Sequence, residues 1–248
     1  MHITYYDTRV YRMGEMCKIV YMKTGINDLT FWDKEDKKIA VLEDDEKRRN
    51  NIIRAKNRVL ELLLCNEWDW FCTFTLDKQK YDRYNLDGFR KDFTQWIRNQ
   101  RRLTGRRIEY VLVAEQHRDG AWHLHGVFRN YDNSMLSRFS SGIHPLNLVR
   151  GGYLFDKRLQ DKFGFNSFAV IKDKTKTAFY LTKYITKQLA DGIKLGNHIY
   201  FSSKGLKGKE LIGEGATCWT MGNVFFNDYN GVEWCPVEKV DDFIKTLR

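Results

Sequence analysis

Between Ile108 and Phe128 the sequence carries two apolar runs, Ile108 to His117 and Trp122 to Phe128, separated by Arg118-Asp119-Gly120-Ala121. Apolar and β-branched runs around a glycine-bearing polar break read as a β-hairpin, and a hairpin commits its neighbours to an antiparallel sheet. Within the second run, His123-Leu124-His125 sets two imidazoles two residues apart. Alternate side chains leave a strand on one face, so both imidazoles enter the same space while Leu124 packs behind. The turn decides whether Glu115 joins them. If Asp119-Gly120-Ala121 form a three-residue loop, Arg118 pairs with Trp122, His117 with His123 and Glu115 with His125, and the carboxylate shares the histidine face. A two-residue loop brings Gln116 opposite His123 and turns Glu115 away. Alone, the HLH segment also fits an alternating strand with two half-exposed polar positions. His117 is a candidate for a supporting place beside the pair, whereas His144 and His198 have no comparable spacing.

The remaining patterns are consistent with such a sheet. Trp70-Phe71-Cys72-Thr73-Phe74-Thr75-Leu76 is rich in aromatic and β-branched residues and reads as a buried strand. Phe89, Phe93, Trp96 and Ile97 make the stripe of an amphipathic helix over Gly88 to Arg102. An acidic run at Glu43 to Glu46 precedes Ile52, Ile53, Val59, Leu60 and Leu63, a further helix with its acids near the N-terminus. Thr177 to Ala190 is expected as a helix, 199–201 and 223–226 as strand pieces, and a last helix from Lys239. Strand, helix, paired strands and helix give an α+β class. The expected organisation is one domain over 1–248, with a motif core at about 70–190 and additions at 1–60 and 190–248.

Tyr180-Leu181-Thr182-Lys183-Tyr184-Ile185-Thr186-Lys187 adds the second pattern. On a helix, Tyr180, Lys183, Tyr184 and Lys187 fall on one face, while Ala178, Leu181, Ile185 and Leu189 form a separate apolar stripe. A phenol titrates near 10 and is a poor nucleophile at neutral pH. A neighbouring ammonium and a metal-polarised phosphate would favour the phenolate. The plain alternative is a solvated tyrosine–lysine face.

Charge narrows the partners. A formal net charge of +10 favours ligands that carry phosphate. The clusters Arg98, Arg101, Arg102, Arg106, Arg107 and Lys172, Lys174, Lys176 could track DNA phosphates, and any single one of them fits a solvated helix end equally well. The five cysteines are scattered without a CxxC pair, the usage of reduced thiols in a cytoplasm. No apolar stretch reaches membrane-spanning length, so no membrane partner is expected.

Together these segments resemble the rolling-circle replication initiators of the HUH endonuclease superfamily. Phe71 to Leu76 is similar to the first motif of that family, Glu115 through Gly126 to the metal-binding second, and the run from Tyr180 to Lys187 to the third. Tyrosines four apart resemble the two-tyrosine class, typified by the gene A proteins of small icosahedral single-stranded DNA phages. The resemblance implies a central antiparallel sheet of about five strands flanked by helices. It also implies Mg²⁺ or Mn²⁺ held by Glu115, His123 and His125, and catalysis by Tyr180 and Tyr184 with Lys183 and Lys187. The implied reaction is nicking and rejoining of single-stranded or hairpin origin DNA through a 5′-phosphotyrosine with a free 3′-OH, in a bacterial cytoplasm. No GxxxxGK[ST] segment is found, so a host helicase in trans is the expected partner.

Rival readings share parts of this pattern. A transposase or conjugative relaxase runs the same chemistry, although relaxases usually place the tyrosine ahead of the histidines. A catalytically silent origin-binding protein would keep the fold alone. A non-haem iron or zinc enzyme would use two histidines and a carboxylate but leave the tyrosine–lysine segment without a role.

Overall fold

The computed structural model describes residues 6–23, 44–185, 200–222, 224–226 and 230–248. Strands β1 (Tyr6–Met13) and β2 (Met16–Lys23) come first, then α1 (Asp44–Cys65), β3 (Trp70–Leu76), α2 (Leu86–Thr104), β4 (Glu109–Gln116) and β5 (Trp122–Arg129). The stretch after the hairpin, which lacks strong periodicity, holds short pieces: β6 (Ser137–Arg138), α3 (Leu146–Arg150), β7 (Leu154–Phe155) and α4 (Lys157–Phe163). Strand β8 (Gly164–Val170), α5 (Lys174–Thr182), β9 (Tyr200–Ser202), β10 (Glu210–Thr217), β11 (Phe225–Phe226) and β12 (Asn230–Pro236) follow. A last helix spans Asp241–Lys245, preceded by a single 3-10 turn at Val237–Lys239. Among the described residues, no helix is long and apolar enough to cross a membrane.

Contacts gather the chain into two compact units, one of Met1–Leu42 with Lys207–Arg248, the other of Glu43–Leu206. The segments read from sequence as terminal additions are thus divided, since α1 falls with the motif core. The first unit is a five-stranded antiparallel sheet in the order β10-β1-β2-β12-β11. Its core gathers Val10, Cys17, Ile19, Tyr21, Cys235, Val240 and Phe243.

The second unit is an α+β fold on an antiparallel sheet in the order β6-β7-β8-β3-β5-β4-β9. Its described residues form seven strands where about five were expected, the difference being the two-residue strands β6 and β7. Alternation explains its two faces. In β3, Trp70, Cys72, Phe74 and Leu76 are buried while Phe71, Thr73 and Thr75 are half-buried on the opposite side. The buried set meets α2, whose Phe93 ring lies 5.7 Å from Phe74 and 6.2 Å from Phe128. Asn85 caps that helix by accepting from the Gly88 amide at 2.8 Å, and Gly105 ends it at φ +67. Gly126 sits where β4 and β5 close most tightly: a Cβ there would lie 2.2 Å from the Val111 carbonyl oxygen.

A buried polar network ties α4 to β8 and α2. The Asp156 carboxylate, fully buried, accepts from the Tyr131 hydroxyl at 2.8 Å, from the Arg158 guanidinium at 2.7 Å and from the Arg158 amide at 2.7 Å. Asn166 exchanges side-chain hydrogen bonds with the Asp156 backbone at 2.8 and 2.9 Å, and Arg158 reaches on to Gln100 at 2.9 Å. Removing the carboxylate strands a buried phenol and uncaps α4. Asp156→Ala is therefore expected to cost about 3 kcal/mol, the sum of a lost cap and an unsatisfied buried donor. Urea denaturation checks this, and a loss below about 1 kcal/mol would deny the network its role.

Candidate active site

The sheet assembles one polar face from three strands. On β5, His123 pairs with Thr75 of β3 on one side and Glu115 of β4 on the other, while His125 pairs with Thr73 and Val113. Partners across a ladder share a face, so Glu115, His123, His125, Thr73 and Thr75 all project together. The turn is three residues long, as the shared face requires, but it is Arg118-Asp119-Gly120. His117 accepts from the Gly120 amide and donates to the Ala121 carbonyl, both at 2.9 Å. A three-residue hairpin loop places its left-handed residue last, and Gly120, at φ +82, takes that place where the expected loop would have put Ala121. The register therefore slides by two residues: Glu115 stands opposite His123 instead of His125. Parity is unchanged, so the carboxylate keeps its face. Asp119 holds the turn through the Ala121 amide at 3.1 Å and Arg83 at 3.0 Å.

Each imidazole is held at Nδ1. Thr75 Oγ1 lies 3.2 Å from His123 Nδ1 and Thr73 Oγ1 lies 3.2 Å from His125 Nδ1. His125 Nε2 is 3.0 Å from Glu115 Oε2, and the His123 ring stacks on His117 at 3.6 Å. Burial drives the pKa of His123 down to about 4, with His117 and His125 adding to the effect. Burial also lowers His125, against the opposing pull of Glu115. Both rings are thus neutral at neutral pH, the form whose lone pairs can bind a cation.

The tyrosines arrive from the chain after β8. Asp173 caps α5 by accepting from the Lys176 amide at 2.8 Å, and Ala178, Leu181 and Ile185 are buried, as their apolar stripe requires. The helix runs over Lys174–Thr182, beginning before the Thr177 expected from sequence, and the end of that expectation, at Ala190, lies outside the described residues. Beyond it the Lys183, Tyr184 and Ile185 amides bond three residues back, and residues 186–199 lie outside the described ones. Tyr184 therefore stands in a tightened turn. Its ring stacks on His125 at 3.9 Å and 15°, and its hydroxyl is 2.5 Å from that of Tyr180. Tyr180 is 46% exposed, with its ring edge-on to Phe71 at 5.8 Å. Burial, the Tyr180 hydrogen bond and the Glu115 charge all push the Tyr184 phenol above its ordinary value. Lys183 Nζ lies 6.0 Å from the Tyr180 ring centroid, and Lys187 falls outside the described residues.

Residues 69–189 are similar to the family described as Replication-associated protein ORF2. The match supports a Rep-type replication initiator. It spans every residue of the face just described, from Phe71 to Tyr184. No curated protein and no solved structure matches the chain.

Against this Rep-type background the donor set can be weighed for a metal. Among the described residues, no group of three His, Cys, Asp or Glu side chains stands arranged to hold an ion. The donors nevertheless suit Mg²⁺ or Mn²⁺ in kind: one carboxylate and two neutral imidazoles on one face, beside a solvent-accessible tyrosine. Glu115 Oε2 and His125 Nε2 lie 3.0 Å apart, hydrogen-bonded to each other, and both would have to turn to an ion bound there.

Three contributors escaped the sequence reading. Phe71, Thr73 and Thr75 belong to the segment resembling the first Rep motif, whose direct role the residues alone do not define. Their alternation on β3 was visible, but their pairing with the histidines depends on a contact across some fifty residues of chain. Should this face hold a cation, the hydroxyls would fix the imidazoles that ligate it, and Thr73→Val and Thr75→Val are then expected to weaken its affinity about 10–100-fold. The reading is a higher Mn²⁺ concentration for half-maximal nicking with a near-normal plateau and an unchanged melting temperature. A lowered plateau at saturating Mn²⁺ would assign them a different part.

Proposed function

We propose that this chain is a metal-dependent endonuclease that nicks single-stranded origin DNA with a tyrosine and remains joined to the 5′ end, initiating rolling-circle replication. The observation that carries the reading is the meeting of the two phenol oxygens, 2.5 Å apart, with the Tyr184 ring stacked on the His125 imidazole that Glu115 holds. A solvated tyrosine–lysine face would have no reason to lie on a histidine–carboxylate cluster.

Glu115, His123 and His125 would hold Mg²⁺ or Mn²⁺, which when bound supplies Lewis-acid polarisation of the scissile phosphate. A tyrosine oxygen forms the new P–O bond while the P–O3′ bond breaks, and the phenol proton passes, directly or through solvent, to the 3′ oxygen, which leaves as the free 3′-OH. The second tyrosine hydroxyl donates to the attacking oxygen and spreads its developing charge. Lys183, close to the Tyr180 ring, would offset negative charge on the phosphate and the leaving oxygen, and Lys187 is assigned the same work from its spacing. Rejoining is the reverse attack by a 3′-OH on the phosphotyrosine. Duplex unwinding is assigned to a host helicase in a bacterial cytoplasm.

The test is incubation with labelled single-stranded oligonucleotides and Mn²⁺, followed by denaturing electrophoresis. An SDS-resistant protein–DNA adduct is expected. Cleaved DNA with no protein attached, or no cleavage across a broad set of origin-like oligonucleotides, would overturn the tyrosine mechanism.

A further inference from the structure

The second unit has another feature that the tyrosine face does not use. Between α2 and the edge strand β9 runs a cleft of about 470 Å³. Among the described residues four cations line it, Arg90, Arg98 and Arg101 from the helix and Lys204 from the strand's end, together with Tyr110 and Tyr200 and no carboxylate. Arg101 is committed, donating from Nε to the Ile108 carbonyl at 2.9 Å and reaching Ser203 Oγ at 3.3 Å. Arg90 is 4.0 Å from Asp87. Arg98 and Lys204 are exposed and form no ion pair among the described residues. Elsewhere the cations of the sequence clusters are more often matched: Arg106 by Asp132, Arg107 by Glu109, Lys174 by Glu67 and Lys176 by Asp173. The basic clusters are therefore not equivalent: among the described residues Arg102 and Lys172 are also without an ion pair, but Arg98 stands with Lys204 in a concavity.

Its place in the sheet gives it a direction. Phe201 pairs with Leu112, so the floor of the cleft lies on the α2 face, away from the histidines. Tyr200, at the rim, pairs with Val113, which on its other side pairs with His125. The rim thus stands in the cross-strand row of His125, two strands away, or about 10 Å at normal strand spacing. A polyanion leaving the tyrosine face over this edge would run into Arg98 and Lys204.

We infer that the α2–β9 cleft binds the phosphodiester backbone of the DNA strand a few nucleotides from the scissile phosphate, with Arg98 and Lys204 as its phosphate contacts. This deepens the proposed function and rests on it for the identity of the strand. Cations that neutralise phosphates release counterions, so the contacts are legible in salt dependence.

The experiment compares wild type with Arg98→Gln/Lys204→Gln on a single-stranded oligonucleotide extending well to both sides of the nick, and on one trimmed to the nick's immediate neighbours. Two lost contacts should lower the slope of log affinity against log salt by about 1.4 on the long strand. Binding to the long strand should weaken roughly tenfold at moderate salt, with the trimmed strand unaffected. A methylphosphonate scan of the long strand should reveal phosphates whose neutralisation weakens wild type and leaves the double variant unchanged. An unchanged salt slope, equal losses on both strands, or displacement of the long strand by low-micromolar mononucleotide would overturn the assignment. Failure of the nicking reading looks different: wild type binds the long strand with the same Arg98 and Lys204 dependence but forms no adduct. Wild type that binds no DNA overturns both.

Discussion

Tyr180→Phe/Tyr184→Phe will form no SDS-resistant adduct, while each single variant will retain some cleavage of a simple oligonucleotide. The two oxygens are 2.5 Å apart, so either can approach a phosphate placed over Glu115 and His125. The environments are unequal: Tyr184 is pinned on His125 with its phenol pushed up, whereas Tyr180 is more exposed and has Lys183 near its ring. Unequal single-variant rates are therefore expected. Opening a circle needs one nucleophile, but ending a round requires cutting the regenerated site while the first adduct persists. Strand transfer through two successive cuts should suffer in both single variants. Peptide mapping of the adduct is the measurement. DNA found on one tyrosine only, with the other replaceable at no cost to transfer, would reduce the pair to one nucleophile and its hydrogen-bond partner.

Chelation should stop nicking completely, and added Mg²⁺ or Mn²⁺ should restore it. His123→Ala and His125→Ala should bring adduct formation to background even at high Mn²⁺. The fold should survive, because Thr73, Thr75 and Glu115 already satisfy imidazole nitrogens without an ion. By mass action an ion at ten times its dissociation constant adds only about 1.4 kcal/mol to stability. Thermal denaturation in EDTA should show that small shift and no more, and isothermal titration of Mn²⁺ should lose its signal in either histidine variant. Undiminished cleavage in EDTA would remove the metal from the mechanism.

Local pattern carried the reading as far as parity and periodicity reach. That Glu115, His123 and His125 share a face follows from an odd loop and a period of two, and needs no tertiary information. Which residues pair was harder, because it turned on whether Gly120 or Ala121 takes the left-handed position, a choice held by Arg83 and Asp119 from separate parts of the chain. The tyrosine face depended on helical spacing, yet α5 stops at Thr182, whose hydroxyl bonds back to the Phe179 carbonyl at 2.9 Å. Such back-bonding tightens a last turn. The phenols still meet because Tyr184 is drawn onto His125. Thr73, Thr75 and the α2–β9 cleft depend on strand neighbours far apart in sequence, and no local pattern announces them. Nor did the terminal segments declare that they form a sheet together.

That last arrangement fixes an order of events during synthesis. Strands β1 and β2 are made before the Glu43–Leu206 unit, but β1 pairs with β10 and β2 with β12, so both flanks of the hairpin lack their partners until residues 210–236 appear. The Glu43–Leu206 unit has all its own strand partners well before then. A nascent chain therefore holds a finished histidine–tyrosine sheet while its first hairpin still waits with two open edges, the condition under which strands capture wrong partners. Trimming from either end would leave the same open edges in the finished protein. A minimal fragment must drop both flanks at once, and residues 43–206 are the natural piece to express.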